Sequence, residues 1–253
     1  MTTHPQLANR VVHITGWAFD ADALDLVPPE SLDAGWILSP LGMAIAAETG
    51  DYQGVQEAFD RALTIARRQD DVKLEAVTVS RAGAIDFRRL RYGECLEKCL
   101  RTIELTHGVD DTAHGGVVRG SHMFATSALL ATGDLERARH HATAFLATAE
   151  ALRRKVWLGL AHGMTGIVSQ IEGDWRAARV SSERGLALDP RGALLLGPRA
   201  LLECQVGDFA QGETYLDRYL DAWEGTQGPI SEHPAPIIAA MARITGVADR
   251  FDV

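Results

Sequence analysis

Apolar and small residues recur at helical spacing after five short turn phrases along the chain. Counted from the last residue of each phrase, they fall three, seven, and ten or eleven positions later, which places them on one stripe of an α-helix. The sequence therefore predicts five amphipathic helices, each beginning directly after a turn. The phrases are Gly50-Asp51-Tyr52, Leu90-Arg91-Tyr92, Gly133-Asp134-Leu135, Gly173-Asp174-Trp175 and Gly207-Asp208-Phe209.

The fourth phrase shows the chemistry of the turn. Gly173 can adopt the left-handed conformation that ends a helix, and Asp174 can cap the first amides of the next one. Trp175 begins that helix, and Asp189-Pro190 ends it. Seven positions before each turn lies another residue, which is small in most of the phrases. It belongs to the preceding helix of the pair and allows the following helix to approach closely. These residues are Met43, Gly83, Thr126, Gly166 and Ala200.

Successive phrases lie 40, 43, 40 and 34 residues apart, a period typical of stacked repeats. We expect an N-terminal extension over 1–29, a repeat domain over 30–224, and a loop with a capping or partial repeat over 225–253. The predicted helix pairs are 30–48 with 52–68, 72–89 with 92–106, 114–131 with 135–152, 156–172 with 175–188, and 191–205 with 209–224. One more helix is expected over 235–245.

Composition favours an all-helical, cytoplasmic protein. Hydrophobic residues make up 46% of the chain, and β-branched runs are scarce. The formal net charge of −9 argues against direct nucleic-acid binding, which needs clustered basic residues. Three cysteines, an odd number, suit a reducing compartment, and Cys95 and Cys99 are interpreted as small core residues. The first ten residues lack the apolar segment of a signal peptide, and no apolar stretch reaches the roughly 20 residues of a membrane span.

The repeat resembles the tetratricopeptide (TPR) repeat. The fourth copy carries the resemblance best, with Gly166, the phrase Gly173 to Trp175, Ala178, Leu186 and Asp189-Pro190. The resemblance implies a right-handed superhelical α-solenoid of about five helix-turn-helix repeats plus a C-terminal helix. The longer spacing and the Ala/Arg-rich style are similar to the repeat region of bacterial signalling ATPases that carry LuxR-type or cyclase domains.

No residue set predicts catalysis, a metal or a cofactor. A phosphate-binding loop is missing, and His114-Gly115-Gly116 has no accompanying nucleophile elbow. His122 and His162 each stand eleven residues before a turn glycine, which indicates repeat packing and not a zinc site.

In such stacks the first helix of each pair lines an inner groove. Estimated from the turns, the groove residues are Ser80, Arg88, Met123, Ser127, Gln170, Cys204 and Gln205, with Arg81, Arg119, His122, His162 and Arg199 beside them. Arginines there would clamp a carboxylate or phosphate, unless they pair with the many Asp and Glu side chains.

The sequence favours a protein-interaction or regulatory module of a bacterial signalling or transcription-regulation system, which binds a protein or peptide in this groove. An alternative is a small-molecule sensor whose groove closes on a metabolite; a large apolar pocket would favour it. A helical enzyme is a remote third alternative, which would need a cluster of perturbed acids or histidines.

Overall fold

The computed structural model describes residues 11–14, 17–108, 116–224 and 234–246. Eleven α-helices form in these ranges, joined mostly by turns of a few residues. They are α1 (Leu32–Glu48), α2 (Tyr52–Arg68), α3 (Val72–Arg88), α4 (Tyr92–Leu105), α5 (Val117–Thr132), α6 (Leu135–Leu152), α7 (Lys155–Ile171), α8 (Trp175–Leu188), α9 (Ala193–Gln205), α10 (Phe209–Glu224) and α11 (Pro234–Thr245).

The predicted all-helical repeat fold is confirmed, and helix ends lie within three residues of the predicted ones. The expected extension contains two short strands that no sequence pattern predicted, β1 (Val11–Ile14) and β2 (Trp17–Asp20), paired antiparallel, followed by a 3-10 helix over Ala21–Leu26. Strands of four residues are too short for a periodic signal to stand out. Residues 225–233 of the expected loop, and His114-Gly115, lie outside the described residues.

The turn chemistry follows the predicted pattern. Gly133, Gly173 and Gly207 have φ of 85°, 82° and 87°, in the left-handed region. The aspartate after each glycine donates its backbone N–H to a carbonyl five residues earlier at 2.9 Å, and its carboxylate accepts from the amide three residues later. Leu90 takes the same conformation, with φ of 60°, and the Arg91 that follows makes no side-chain cap.

The chain divides into two compact units, residues 1–128 and 129–253. In the first unit, the core joins α1, α2 and α3 through fully buried side chains that include Leu38, Phe59 and Leu74. A second cluster packs Cys95 and Cys99 of α4 against two alanines of α5. Both thiols are reduced and buried, in line with their interpretation as core residues.

The core of the second unit is built from α8, α9, α10 and α11. It contains Leu196, Leu216 and Met241, and α11 packs against α9 and α10. Two of the residues predicted at helix crossings, Gly83 and Gly166, lie close to the backbone of the partner helix. At Gly166, an added Cβ would lie 3.2 Å from the backbone oxygen of Ala178, so the site accepts little more than glycine.

Candidate functional site

In the first unit, hydroxyl groups join the first helices of the hairpins, and one of them contacts Arg81. Ser39 of α1, which is fully buried, accepts hydrogen bonds from Thr78 at 2.9 Å and from Nη1 of Arg81 at 2.8 Å. Ser80, the neighbour of Arg81 on α3, lies 3.4 Å from Ser121 of α5, measured between the two hydroxyl oxygens. The guanidinium of Arg81 therefore joins α3 to α1, and the Ser80–Ser121 contact joins α3 to α5.

Arg81 is a half-buried cation. Burial lowers the pKa of its guanidinium, because the charged form loses solvation. A guanidinium has five N–H donors, and the only hydrogen bond of Arg81 to the described residues goes to a serine hydroxyl. No carboxylate of the described residues lies within ion-pair distance of Arg81. An anionic group of a ligand would complement this charge.

Three other basic side chains nearby, Arg89, Arg91 and Lys98, have partners within their own unit. Asp86 of α3 is almost fully buried and forms ion pairs with Arg91 and with Lys98, the latter at 2.6 Å. Arg91 and Arg89 also stack on the ring of Tyr52. These contacts join α2, α3 and α4 and explain part of the basic cluster at the end of α3 as structural.

The remaining predicted residues of the first unit differ in exposure. Arg88 is exposed at the end of α3, and Met123 and Ser127 are half-buried on α5, where the Ser127 hydroxyl donates to the Met123 carbonyl at 3.1 Å. Arg119 and His122 are buried on α5 and have interaction partners. Of this set, Arg81 combines partial burial with a guanidinium that forms no ion pair with the described residues.

In the second unit, an amide pair joins the first helices α7 and α9. Nε2 of Gln170 donates to Oε1 of Gln205 at 2.6 Å. Gln170 is 7% exposed, whereas Gln205 is exposed. Beside Gln170 lies a narrow cleft whose lining includes Ile167, Leu194 and Pro198. The enclosed volume of this cleft is about 10 Å³, roughly the space of one water molecule.

Arg199 is buried in the second unit, and His162 is half-buried there. Arg199 is 6% exposed, and its Nε donates to Oε1 of the buried Glu203 at 2.6 Å. Arg179 of α8 binds the same carboxylate, so the group ties α8 to α9. Arg199 is therefore held by an acid and is not placed to clamp a ligand. His162 is half-buried, and burial lowers its pKa, with a smaller contribution from Arg184.

Sequence reasoning missed several groups that shape these surfaces. Ser80 was predicted, but Ser39 and Ser121 were not, although the three serines recur every 41 residues, a signal that was available in the sequence. The pairing of Arg199 with Glu203, four residues apart on one helix, was also readable as a local ion pair. The Ile167, Leu194 and Pro198 cleft had no such signal, because it depends on how α7 and α9 pack.

Two further observations concern metals and membranes. Within the described ranges, His, Cys, Asp and Glu side chains do not gather in groups of three or more that would hold a metal ion. In the same part of the chain, each helix is too short or too polar to cross a lipid bilayer.

Comparison with known proteins identifies the fold. No protein-family model matches the chain, and no curated protein does. Among solved structures, BtubC (BKLC) from P. vanneervenii is similar at 18% identity, with 78% of this chain and 84% of that chain covered and a TM-score of 0.61. The apo form of RapI is similar at 10% identity, with 86% of this chain and 61% of that chain covered and a TM-score of 0.62.

A third structure, YrrB, is described as a TPR protein with an unusual peptide-binding site. It shares 12% identity with this chain, with 89% of this chain and 97% of that chain covered and a TM-score of 0.51. The fold is a tetratricopeptide-like helical repeat. Identities this low establish the fold alone, and the narrower similarity to signalling ATPases stays a prediction.

Proposed function

We propose that this TPR-like chain is a protein-interaction module that binds an extended peptide segment of a partner along the first helices. In the first unit, Arg81 would anchor an anionic group of that segment. The observation that carries the proposal is the half-buried Arg81 guanidinium, which is supported by Ser39 and has no carboxylate partner among the described residues. A charge-assisted hydrogen bond from a ligand would use the donors that Arg81 leaves open.

The cleft beside Gln170 is too small to hold a small molecule, although an open depression of about 580 Å³ in the same unit, lined by Trp175, Arg179 and Val206 among others, has the size of a small-molecule pocket. Drug-sized ligands occupy pockets of about 300–1,000 Å³, whereas the cleft beside Gln170 encloses about 10 Å³. A ligand at this place would lie along the surface. The description of YrrB as a protein with a peptide-binding site agrees with such a role for the fold.

We further propose that the chain acts by binding and not by catalysis. Its two most deeply buried carboxylates, Asp86 and Glu203, are each held by two basic side chains that connect neighbouring helices. Groups paired in this way stabilise the units and are poorly suited to proton transfer. A bacterial signalling or transcription-regulation context follows from the family resemblance and belongs to the same proposal, as does a cytoplasmic location.

Long-range electrostatics sets a limit on this binding. The formal net charge of −9 repels an anionic partner at a distance, but charges in solution are screened beyond about 8 Å at physiological salt. The attraction would therefore be local to Arg81. We expect affinity to depend on one ion pair and to weaken moderately as salt is added.

The test measures partner binding by variants of Arg81. Partners captured by crosslinking are mapped to a peptide, and its affinity is measured by fluorescence anisotropy. Arg81→Ala should lower the affinity by about 10-fold or more, and Arg81→Lys by less. The double replacement of Arg81 and Arg88 by Ala should weaken binding at least as much. Arg61→Ala, an exposed arginine of α2, is the matched control. Unchanged affinity in the double variant would refute the proposed anchor.

A further inference from the structure

The amide pair of Gln170 and Gln205 has hydrogen-bonding capacity left over. A glutamine side chain carries two N–H donors and a carbonyl oxygen with two lone pairs. The hydrogen bond between these residues uses one donor of Gln170 and one lone pair of Gln205. Both N–H groups of Gln205 and the carbonyl oxygen of Gln170 make no other hydrogen bond to the described residues. Because Gln205 is exposed, its donors face solvent.

We propose that this amide pair binds the main chain of an extended peptide in the second unit. In an extended peptide, the N–H and C=O of one residue point to the same side of the chain, and the pair offers an acceptor and a donor that complement them. The carbonyl oxygen of Gln170 accepts from a peptide N–H, and Nε2 of Gln205 donates to a peptide carbonyl. Recognition at this point is independent of the peptide's side chains.

The bridge also fixes the geometry of this surface. Gln170 is 7% exposed, so its side chain is held by packing as well as by the 2.6 Å bond to Gln205. A polar group held in place loses little conformational freedom when a ligand binds, which favours affinity. The pair joins α7 to α9, so the peptide would cross from one hairpin to the next.

The adjoining cleft adds an apolar contact and a further acceptor. Leu194 is 54% exposed and lines the cleft together with Ile167. Pro198 lies inside α9 and has no N–H, so it cannot donate to the carbonyl of Leu194 four residues earlier. The small enclosed volume leaves room for contact with a small apolar side chain and excludes insertion of a large one.

The chemistry of this surface favours a peptide main chain over an anionic group. The nearest strong cation, Arg199, is buried and bound to Glu203, so it offers no free charge. The groups that remain are neutral amides and apolar carbons. This inference rests on the proposed function, but it concerns different residues and the other unit, so the two are tested by different variants.

The test uses a biotinylated 12-residue peptide selected from a random phage-displayed library against the whole wild-type chain. Gln205→Glu keeps an oxygen that accepts from Gln170 and removes both N–H donors, so the bridge persists while the proposed contact is lost. We expect affinity to fall about 3- to 10-fold in Gln205→Glu and in Gln205→Ala. Gln53→Ala on α2, an exposed glutamine bonded to Glu57, is the control and should bind as wild type.

Copies of the peptide with single amide-to-ester replacements locate the contact. At one position, the ester removes the peptide N–H that Gln170 accepts, so it should lower affinity for the wild-type chain about 3- to 10-fold and have little further effect in Gln170→Ala, which lacks that acceptor. If folded Gln205 variants bind every copy as the wild type does, the inference is overturned, while the Arg81 anchor is judged by its own variants. If no library peptide binds the wild-type chain, both the inference and the proposed function fall.

Discussion

Leu90 ends α3 in a backbone conformation that suits glycine. Its φ is 60°, and its N–H donates to the carbonyl of Phe87 at 2.9 Å. Glycine occupies the corresponding position in the other four turn phrases. The Leu90 side chain is 70% exposed, so it contributes little to the core. We therefore predict that Leu90→Gly stabilises the first unit.

The magnitude follows from two opposing terms. The left-handed conformation costs a residue with a Cβ about 1–2 kcal/mol, and replacement by glycine removes that cost. Glycine loses more backbone freedom on folding than leucine does, which offsets about 0.5–1 kcal/mol of that gain. The free energy of unfolding should therefore rise by about 0.5–1 kcal/mol. Leu90→Asn should give a smaller gain, because asparagine tolerates this conformation better than leucine does.

Urea unfolding followed by tryptophan fluorescence would measure this change, with the slope checked for constancy. The matched control is Leu100→Gly, which removes a leucine that is 38% exposed from the interior of α4. The free energy of unfolding of that variant should fall by about 1 kcal/mol or more, because glycine disfavours a right-handed helix. If both variants lose stability equally, the left-handed assignment of Leu90 is wrong.

Three further predictions concern buried charge, protonation and close packing. Glu203→Ala should lower the free energy of unfolding by about 3–5 kcal/mol, because two arginines lose a buried carboxylate; a loss below about 1 kcal/mol in urea would contradict this. Burial lowers the pKa of His162 in the folded chain. Below about pH 6.5 the unfolded chain therefore binds more protons than the folded chain, and stability decreases as the pH falls. His162→Gln should flatten that decrease between about pH 7 and 5.5 in thermal melts, and an unchanged slope would count against it. Gly42→Ala would place a Cβ 2.5 Å from the Phe59 ring and should lower the free energy of unfolding by about 1–3 kcal/mol. In the control Gly93→Ala, the added Cβ meets nothing within 4 Å, so the free energy of unfolding, measured by chemical denaturation, should rise by up to about 1 kcal/mol.

The repeat fold was predictable because its signals are local. A phrase such as Gly173-Asp174-Trp175 contains the helix end, the cap and the first residue of the next helix within three positions. The binding surfaces were less predictable, because the support of Arg81 comes from Ser39, 42 residues away on another helix. Arg199 has an acid four residues later on its own helix, whereas Arg81 has none.

The bridge from Gln170 to Gln205 illustrates what the sequence could not supply. The two residues are 35 positions apart, and they occupy different places relative to the turns that follow them, three residues before Gly173 and two before Gly207. Their contact depends on the rotation of α9 against α7. That rotation is set by packing of side chains such as Leu195 and Leu202, which no single-repeat pattern encodes.

If Arg81 anchors a partner as proposed, its contact with Ser39 links ligand affinity to the spacing of neighbouring hairpins. The guanidinium belongs to α3 and its support belongs to α1, so a hairpin excised by itself would carry only part of the site. A partner that grips Arg81 in this arrangement also opposes separation of the two helices. At a free concentration of 100 times its dissociation constant, such a partner would raise the free energy of unfolding by about 2.7 kcal/mol. A shift of the melting temperature would therefore report binding without any label.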